Sequence, residues 1–135
     1  IALAAGVSGV HLGQDDLSPA EVRKVCGERL LVGRSTHSVE QARYAVSVEM
    51  PDYIAIGSMY ETSTKKGRIL AGVELAGQVG TLRLESPVFA IGGISLERVK
   101  ELRCAGVQRV AVSSAVIGSE DPESAARKLI VAMAK

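Results

Sequence analysis

Tryptophan is absent from the chain, and aromatic residues make up only 3% of it. A surface that stacks nucleic-acid bases needs such rings, so base recognition has little support. The core must be built from Val, Ile, Leu and Ala, which suits buried parallel strands and the helices that cover them. Charge of one sign is lacking too: 16 Lys and Arg oppose 15 Asp and Glu, for a formal net charge of +1. No strong field points to nucleic acid or to a membrane surface. Cysteine is sparse. Cys26 and Cys104 each lie in a helix-like segment with no second Cys or His at metal-ligand spacing. They are expected to be buried or half-buried free thiols in a reducing compartment. No run approaches the roughly 20 apolar residues of a transmembrane helix, and no charged n-region precedes the opening IALAAG. A cytoplasmic protein is expected.

What is present is a repeating unit. An apolar run rich in β-branched residues is followed by Gly or polar residues, then by an amphipathic segment. The runs are Gly9–Leu12, Leu30–Gly33, Tyr53–Gly57, Pro87–Ile91 and Arg109–Val112. Ser18, Pro19 and Glu21 have the N-cap, N1 and N3 spacing of a helix start, and Gly27 the place of its stop. Ser38 with Glu40, and Ser95 with Glu97, open two more helices, while Met50-Pro51 ends one, because the residue before proline is pushed out of the α region. Gly72 to Leu82 reads as a helix weakened by Gly77 and Gly80. A last helix follows Asp121-Pro122, with Ala125, Leu129, Ile130 and Met133 at helical spacing. Strands and helices alternating with one polarity predict a parallel α/β sheet. A doubly wound sheet and a (β/α) barrel both satisfy that pattern. One domain over residues 1–135 is expected. The opening IALAAG reads as the end of a helix, and 135 residues fall short of the roughly 200–250 of a complete eight-unit barrel. The chain is therefore expected to supply about the last five units, with the N-terminal strands absent.

In either arrangement ligands gather at the C-terminal ends of the strands. The first such loop carries Gln14, Asp15 and Asp16, and the second Arg34, Ser35, Thr36 and His37. The third is a long polar stretch, Ser58 to about Leu70, with Thr62, Ser63, Thr64, Lys65 and Lys66. The fourth is Gly92-Gly93, the fifth Ser113-Ser114. Hydroxyls, cations and bare backbone N–H groups thus recur at strand end after strand end, as a polyanionic ligand requires. Glycines after a strand let the backbone approach an anion closely, and a following helix N-terminus offers N–H groups. If the five strands are the last five of eight, Gly92-Gly93 and Ser113-Ser114 fall on the two loops that commonly form a barrel's phosphate site. Gly-Gly alone could also be no more than a tight turn. Asp15 and Asp16 read either as a solvated pair or as a source of one Mg²⁺ ligand, and Lys65 and Lys66 either as a solvated pair or as cations over a leaving phosphate. His11, inside an apolar strand, is expected to be packed and hydrogen-bonded; His37 is open to either role. Nothing has the pattern of a glycosidase carboxylate pair, a Ser-His-Asp triad or a Schiff-base lysine.

Taken together, GVHLGQDDL (9–17), VGRSTHS (32–38), DYIAIGSMYETSTKKG (52–67), PVFAIGGIS (87–95) and VAVSSAV (110–116) resemble the thiamine-phosphate synthase (thiamin phosphate pyrophosphorylase) family in order and spacing, across essentially the whole chain. The resemblance implies the C-terminal portion of a TIM (β/α)8 barrel. It implies a Mg²⁺-dependent transferase of thiamine biosynthesis that couples a pyrimidine methyl diphosphate to a thiazole phosphate and releases pyrophosphate. By position, Asp16 matches a Mg²⁺ ligand. Ser35 and Lys65 match pyrimidine-diphosphate contacts and are the candidate catalytic residues. Thr62, Thr64, Gly93, Ser113 and Ser114 match thiazole-phosphate contacts, and Gln14 and Gly92 join the substrate-binding set. Ser58 and Glu61 stand where the family usually has proline. The family's early Gln-x-Arg segment and Asn-Asp pair have no counterpart here. The isolated stretch is therefore expected to be nearly inactive and, with two open sheet edges, to self-associate. A regulatory relative that binds a thiazole or thiamine phosphate without turnover is the alternative, and a different phosphate-binding barrel enzyme a third reading.

Overall fold

The structure is a computed structural model and describes residues 1–61, 70–82 and 84–134. Among these residues β1 (Gly9–Leu12), β2 (Leu31–Thr36), β3 (Tyr53–Ile56), β4 (Val88–Ile91) and β5 (Val110–Ala111) form one sheet in the order β1-β2-β3-β4-β5. Every neighbouring pair is parallel. The helices are α1 (Pro19–Cys26), α2 (Val39–Tyr44), α3 (Gly72–Thr81), α4 (Leu96–Cys104), the short α5 (Ser114–Ile117) and α6 (Pro122–Ala134). This order separates the two architectures that the sequence left open. A doubly wound sheet reverses direction at a switch point, whereas here each strand adds beside the last. Right-handed crossovers stepping one way put their helices on one face, as a barrel requires.

The burial pattern shows which face that is. Val32, Thr36, Ile54, Ile56 and Ala90 are at most 1% exposed. Ile54, Ile56 and Ala90 share one core cluster with Ala42 and Ala45 after β2, Leu75 and Val79 of α3, Val99 and Leu102 of α4 and Leu129 of α6. Burying each Val, Ile or Leu contributes about 1.5–3 kcal/mol. The opposite face presents His11, Gly33, Ser35, Tyr53, Ala55, Phe89 and Ile91, because side chains alternate along a strand. It is only partly covered, and Leu31 and Ile91 are exposed on it.

Local signals were realised closely. The Ser18 hydroxyl accepts from the Glu21 N–H, and the Glu21 carboxylate accepts from the Ser18 N–H at 2.8 Å, a complete capping box. Five residues of π-helix, Ala45–Glu49, continue α2, and Met50 ends it with a φ of 48°.

Several expectations are corrected. The β2 strand runs to Thr36 rather than stopping at Gly33, because β1 and β3 pair with it on both sides. Arg34 and Thr36 are therefore strand residues facing the helices, away from the strand-end site. The β5 strand is shorter than expected, and Ser114 begins a helical turn instead of a simple loop. The Ser95 hydroxyl donates to Glu97 at 2.6 Å rather than capping backbone N–H groups. On α6 Leu129 is buried but Ile130 is 69% exposed. Cys26 is buried, whereas Cys104 is exposed, two residues and so about 200° around α4 from the buried Leu102.

At the opposite end of the sheet from the strand-end loops, Asp52 accepts from the Val32 N–H and from Arg23, each at 2.6 Å. Burial works against its ionisation, but the Val32 bond and the Arg23 guanidinium outweigh it and hold the carboxyl below its ordinary value. Its folded pKa is depressed, so its contribution is present above the unfolded value of about 4 and is lost as pH falls below that. Asp52→Asn is expected to flatten the fall in melting temperature between about pH 5 and pH 2 relative to the unaltered protein.

Candidate active site

A cavity of about 250 Å³ opens at the C-terminal ends of the strands. Its walls come from all five expected loops or their strands: His11, Ser35 and His37, then Gly57-Ser58, Gly92-Gly93 and Ser113-Ser114 line it. Register explains the first group. His11, Gly33 and Tyr53 lie side by side across β1, β2 and β3. A Cβ on Gly33 would fall 2.2 Å from Tyr53 Cζ and 2.6 Å from His11 Nδ1. Glycine at that position lets the two rings meet over the middle strand. The imidazole stacks on the phenol at 5.5 Å between centroids, with Nδ1 3.1 Å from Tyr53 Oη and Nε2 2.9 Å from Ser35 Oγ. Burial raises the Tyr53 pKa, which keeps the phenol protonated. The expectation that His11 is hydrogen-bonded holds, but its packing does not: the ring is exposed on the cavity side. His37 also reaches the cavity, with Nδ1 against the Gly57 carbonyl oxygen.

The second group is built from glycine. Gly92 and Gly93 have φ of 100° and 62°. A Cβ on Gly92 would lie 2.1 Å from Ser58 Oγ, and one on Gly93 2.5 Å from the Glu61 carbonyl oxygen. Only glycine fits, and the turn lies directly against the incoming long loop. Ser58, where the family pattern has proline, is buried. It donates through Oγ to the Tyr60 carbonyl at 2.9 Å, and its own carbonyl accepts from the Ala71 N–H at 2.8 Å, so it joins both ends of that loop. Thr62, Thr64 and Lys65, with Ser63 and Lys66, lie outside the described residues.

The β1 loop is anchored from both sides. The Asp16 carboxylate accepts from the Gly13 N–H at 2.6 Å. The Gln14 side-chain amide donates to the Ser35 carbonyl oxygen, which ties the Asp16 loop to β2. Beneath it, Arg34 donates to the Gly13 carbonyl at 2.5 Å while its guanidinium forks onto Glu49 at 3.0 and 3.1 Å. Arg34 thus supports the site from behind the sheet rather than meeting a ligand. Asp15 is exposed. Among the described residues no three His, Cys, Asp or Glu converge as a metal cage. In this loop the donor set offers one carboxylate able to hold a hard cation, Asp16. That suits Mg²⁺, which commonly takes one or two protein carboxylates and completes its shell with water and substrate phosphate oxygens.

Sequence reasoning missed the supporting residues Tyr53, Tyr60, Arg98 and Glu49. Only Tyr53 left a local signal, a polar tip in an apolar run directly before the strand-end motif.

Positive-φ glycines follow one parallel strand and paired serines the next, both facing one cavity at the strand ends of a (β/α)-barrel fold. Comparison with known proteins narrows this. The family model described as thiamine monophosphate synthase (TMP-TENI) matches residues 1–116. Thiamine-phosphate synthase from Mycobacterium sp. (strain JLS) is 45% identical over 129 residues, 96% of this chain and 57% of that protein. The synthase of Gloeobacter violaceus is 43% identical over 122 residues, 90% of this chain and 35% of its own length. Thiamine phosphate pyrophosphorylase from Pyrococcus furiosus superposes with a TM-score of 0.85 at 32% identity, covering 98% of this chain and 62% of that one. 3-Hexulose-6-phosphate synthase shares the fold, with a TM-score of 0.68 at 18% identity. The chain belongs to the thiamine monophosphate synthase family, matches the C-terminal portion of its relatives and forms part of a barrel; it spans a little over half the length of the mycobacterial relative.

Proposed function

We propose that this chain carries the thiazole-phosphate half of a thiamine-phosphate synthase site, together with part of its Mg²⁺-diphosphate half, as one domain over residues 1–135. The complete reaction couples hydroxymethylpyrimidine diphosphate to a thiazole phosphate and releases pyrophosphate. The observation that carries this reading is one cavity with the His11–Ser35 pair on one wall and the Gly92-Gly93 and Ser113-Ser114 turns on the other. Two such polar walls suit two substrates, one bound through diphosphate and one through monophosphate. The glycine turn and the serine turn take the thiazole phosphate, with Thr62 and Thr64. Ser35, oriented by His11, donates to the diphosphate, Gln14 fixes the loop between them, and Lys65 neutralises charge on the leaving group. Asp16 is the residue that would hold Mg²⁺, which when bound supplies charge neutralisation of the diphosphate. A dissociative displacement of this type needs positioning and stabilisation of the leaving group more than a strong base, in keeping with a site without an activated nucleophile.

The 135 residues contain no asparagine, so the Asn-Asp element implied for the other Mg²⁺ contact has no counterpart among them. The protein is read as cytoplasmic and self-associating. Among the described residues no helix is long and apolar enough to cross a membrane. The test is formation of thiamine phosphate from the two substrates with Mg²⁺ or with chelator. The intact protein is expected to need Mg²⁺ and to lose at least about 100-fold in rate on Asp16→Asn, while the 135-residue stretch alone turns over little. Metal-independent turnover, or robust turnover by the stretch alone, would contradict the proposal. Ligand binding without turnover by the intact protein would favour the regulatory relative.

A further inference from the structure

Two residues outside the cavity, Tyr60 and Arg98, bond to its glycine turn. The Tyr60 N–H donates to the Gly92 carbonyl at 3.1 Å. Arg98, on the first turn of α4, donates through Nη1 to the Gly93 carbonyl at 2.6 Å. Its guanidinium lies 4.4 Å above the centre of the Tyr60 ring. The Tyr60 hydroxyl in turn donates to Glu101, one helical turn along α4, at 2.7 Å. Arg98 is solvent-exposed, and a long exposed cation keeps a fixed position only when something holds it; here the aromatic face does so.

The consequence follows from peptide geometry. In a trans peptide the C=O and N–H point in opposite directions. The bond from Tyr60 to the Gly92 oxygen therefore aims the Gly93 N–H away from Tyr60. The bond from Arg98 to the Gly93 oxygen likewise aims the Ile94 N–H away from α4. Gly92, Gly93 and Ile94 all line the cavity, and among the described residues neither the Gly93 nor the Ile94 N–H donates to a protein acceptor. Two successive N–H groups aimed together form an anion-binding concavity.

We propose that Tyr60, Arg98 and Glu101 are positioning residues that hold the Gly92-Gly93 turn with its N–H groups presented to the phosphate of the thiazole substrate. The inference rests on the phosphate reading given above. Burial, and then Glu101 through its hydrogen bond and charge, push the Tyr60 phenol up to about 12, so it remains a donor throughout the working range.

Calorimetric titration of the intact protein with the thiazole phosphate, and with the corresponding unphosphorylated thiazole alcohol, tests this. Arg98→Met keeps the aliphatic stem but loses the donor and the cation. It is expected to weaken phosphate binding about 5–10-fold and to leave the alcohol's affinity unchanged. Tyr60→Leu should do the same, and the double variant should lose little more than either single one, because both act on one turn. Tyr60→Phe, which keeps the ring, should lose less, and should remove a phenol absorbance transition near pH 12. Unchanged phosphate binding by Arg98→Met, or equal losses for phosphate and alcohol, would overturn the clamp. If the unaltered protein does not bind the thiazole phosphate at all, the phosphate reading falls and the clamp with it.

Discussion

Replacement of Glu49 by alanine is expected to destabilise the protein by about 3–5 kcal/mol, the usual cost of leaving one member of a buried ion pair alone. The side chains of Arg34 and Glu49 are 9% and 10% exposed, and the guanidinium meets the carboxylate through two nitrogens at 3.0 and 3.1 Å. Without Glu49 the cation stays behind the sheet with only the Gly13 carbonyl as a described partner. For a domain of this size the loss corresponds to a fall in melting temperature on the order of 10–20 °C. The double variant Arg34→Met with Glu49→Leu removes both charges at similar volume and should recover most of the stability. It should not recover the Asp16 loop, because Gly13 has lost its clamp. Melting curves and Mg²⁺-dependent activity of the single and double variants separate the two effects. A cost below about 1 kcal/mol for Glu49→Ala would mean that the pair behaves as a solvent-screened one.

Gly93→Ala has the second large effect, on ligand binding as well as on stability. The residue holds a φ of 62°, where an L side chain costs roughly 1–2 kcal/mol. The larger penalty is steric. The new Cβ would lie 2.5 Å from the Glu61 carbonyl oxygen and 2.9 Å from Tyr60 Cβ. Neither atom is the far end of a flexible side chain, so the turn itself must shift. A shift misaims the Gly93 and Ile94 N–H groups. Losing two hydrogen bonds to a charged group costs roughly 3 kcal/mol or more, about 100-fold in affinity for the thiazole phosphate. Calorimetry on the variant checks this, and an affinity within a few-fold of the unaltered protein would show that the glycine turn is not the phosphate seat.

Features encoded within a few residues of each other were legible in the sequence. The Ser18–Glu21 capping box, the proline stop after Met50 and the glycine pair at Gly92 depend on neighbours in the chain. The family follows from the combined strand-end segments. Features set by pairing across the sheet were not legible. Thr36 looked like part of a strand-end loop, but β3 lies beside it and its hydroxyl donates to the Ala55 carbonyl at 3.1 Å. Arg34 looked like a cation waiting for an anion, and its partner proved to be Glu49, fifteen residues on. His11 sat in an apolar run, yet alternation turned it to the open face of the sheet, where Tyr53 and Ser35 meet it. Even the choice between a barrel and a doubly wound sheet depended on strand order, which no local pattern contains.

The central claim is that the ends of β4 and β5 seat the phosphate of a thiazole substrate. Calorimetric titration of the intact protein with the thiazole phosphate, set against the thiazole alcohol and a panel of sugar phosphates, tests it most directly. Saturable binding of the thiazole phosphate is expected, with the alcohol weaker by at least about 100-fold because the phosphate contacts are missing, and no comparable binding of the sugar phosphates. Equal affinity for phosphate and alcohol, or tighter binding of a sugar phosphate, would contradict it.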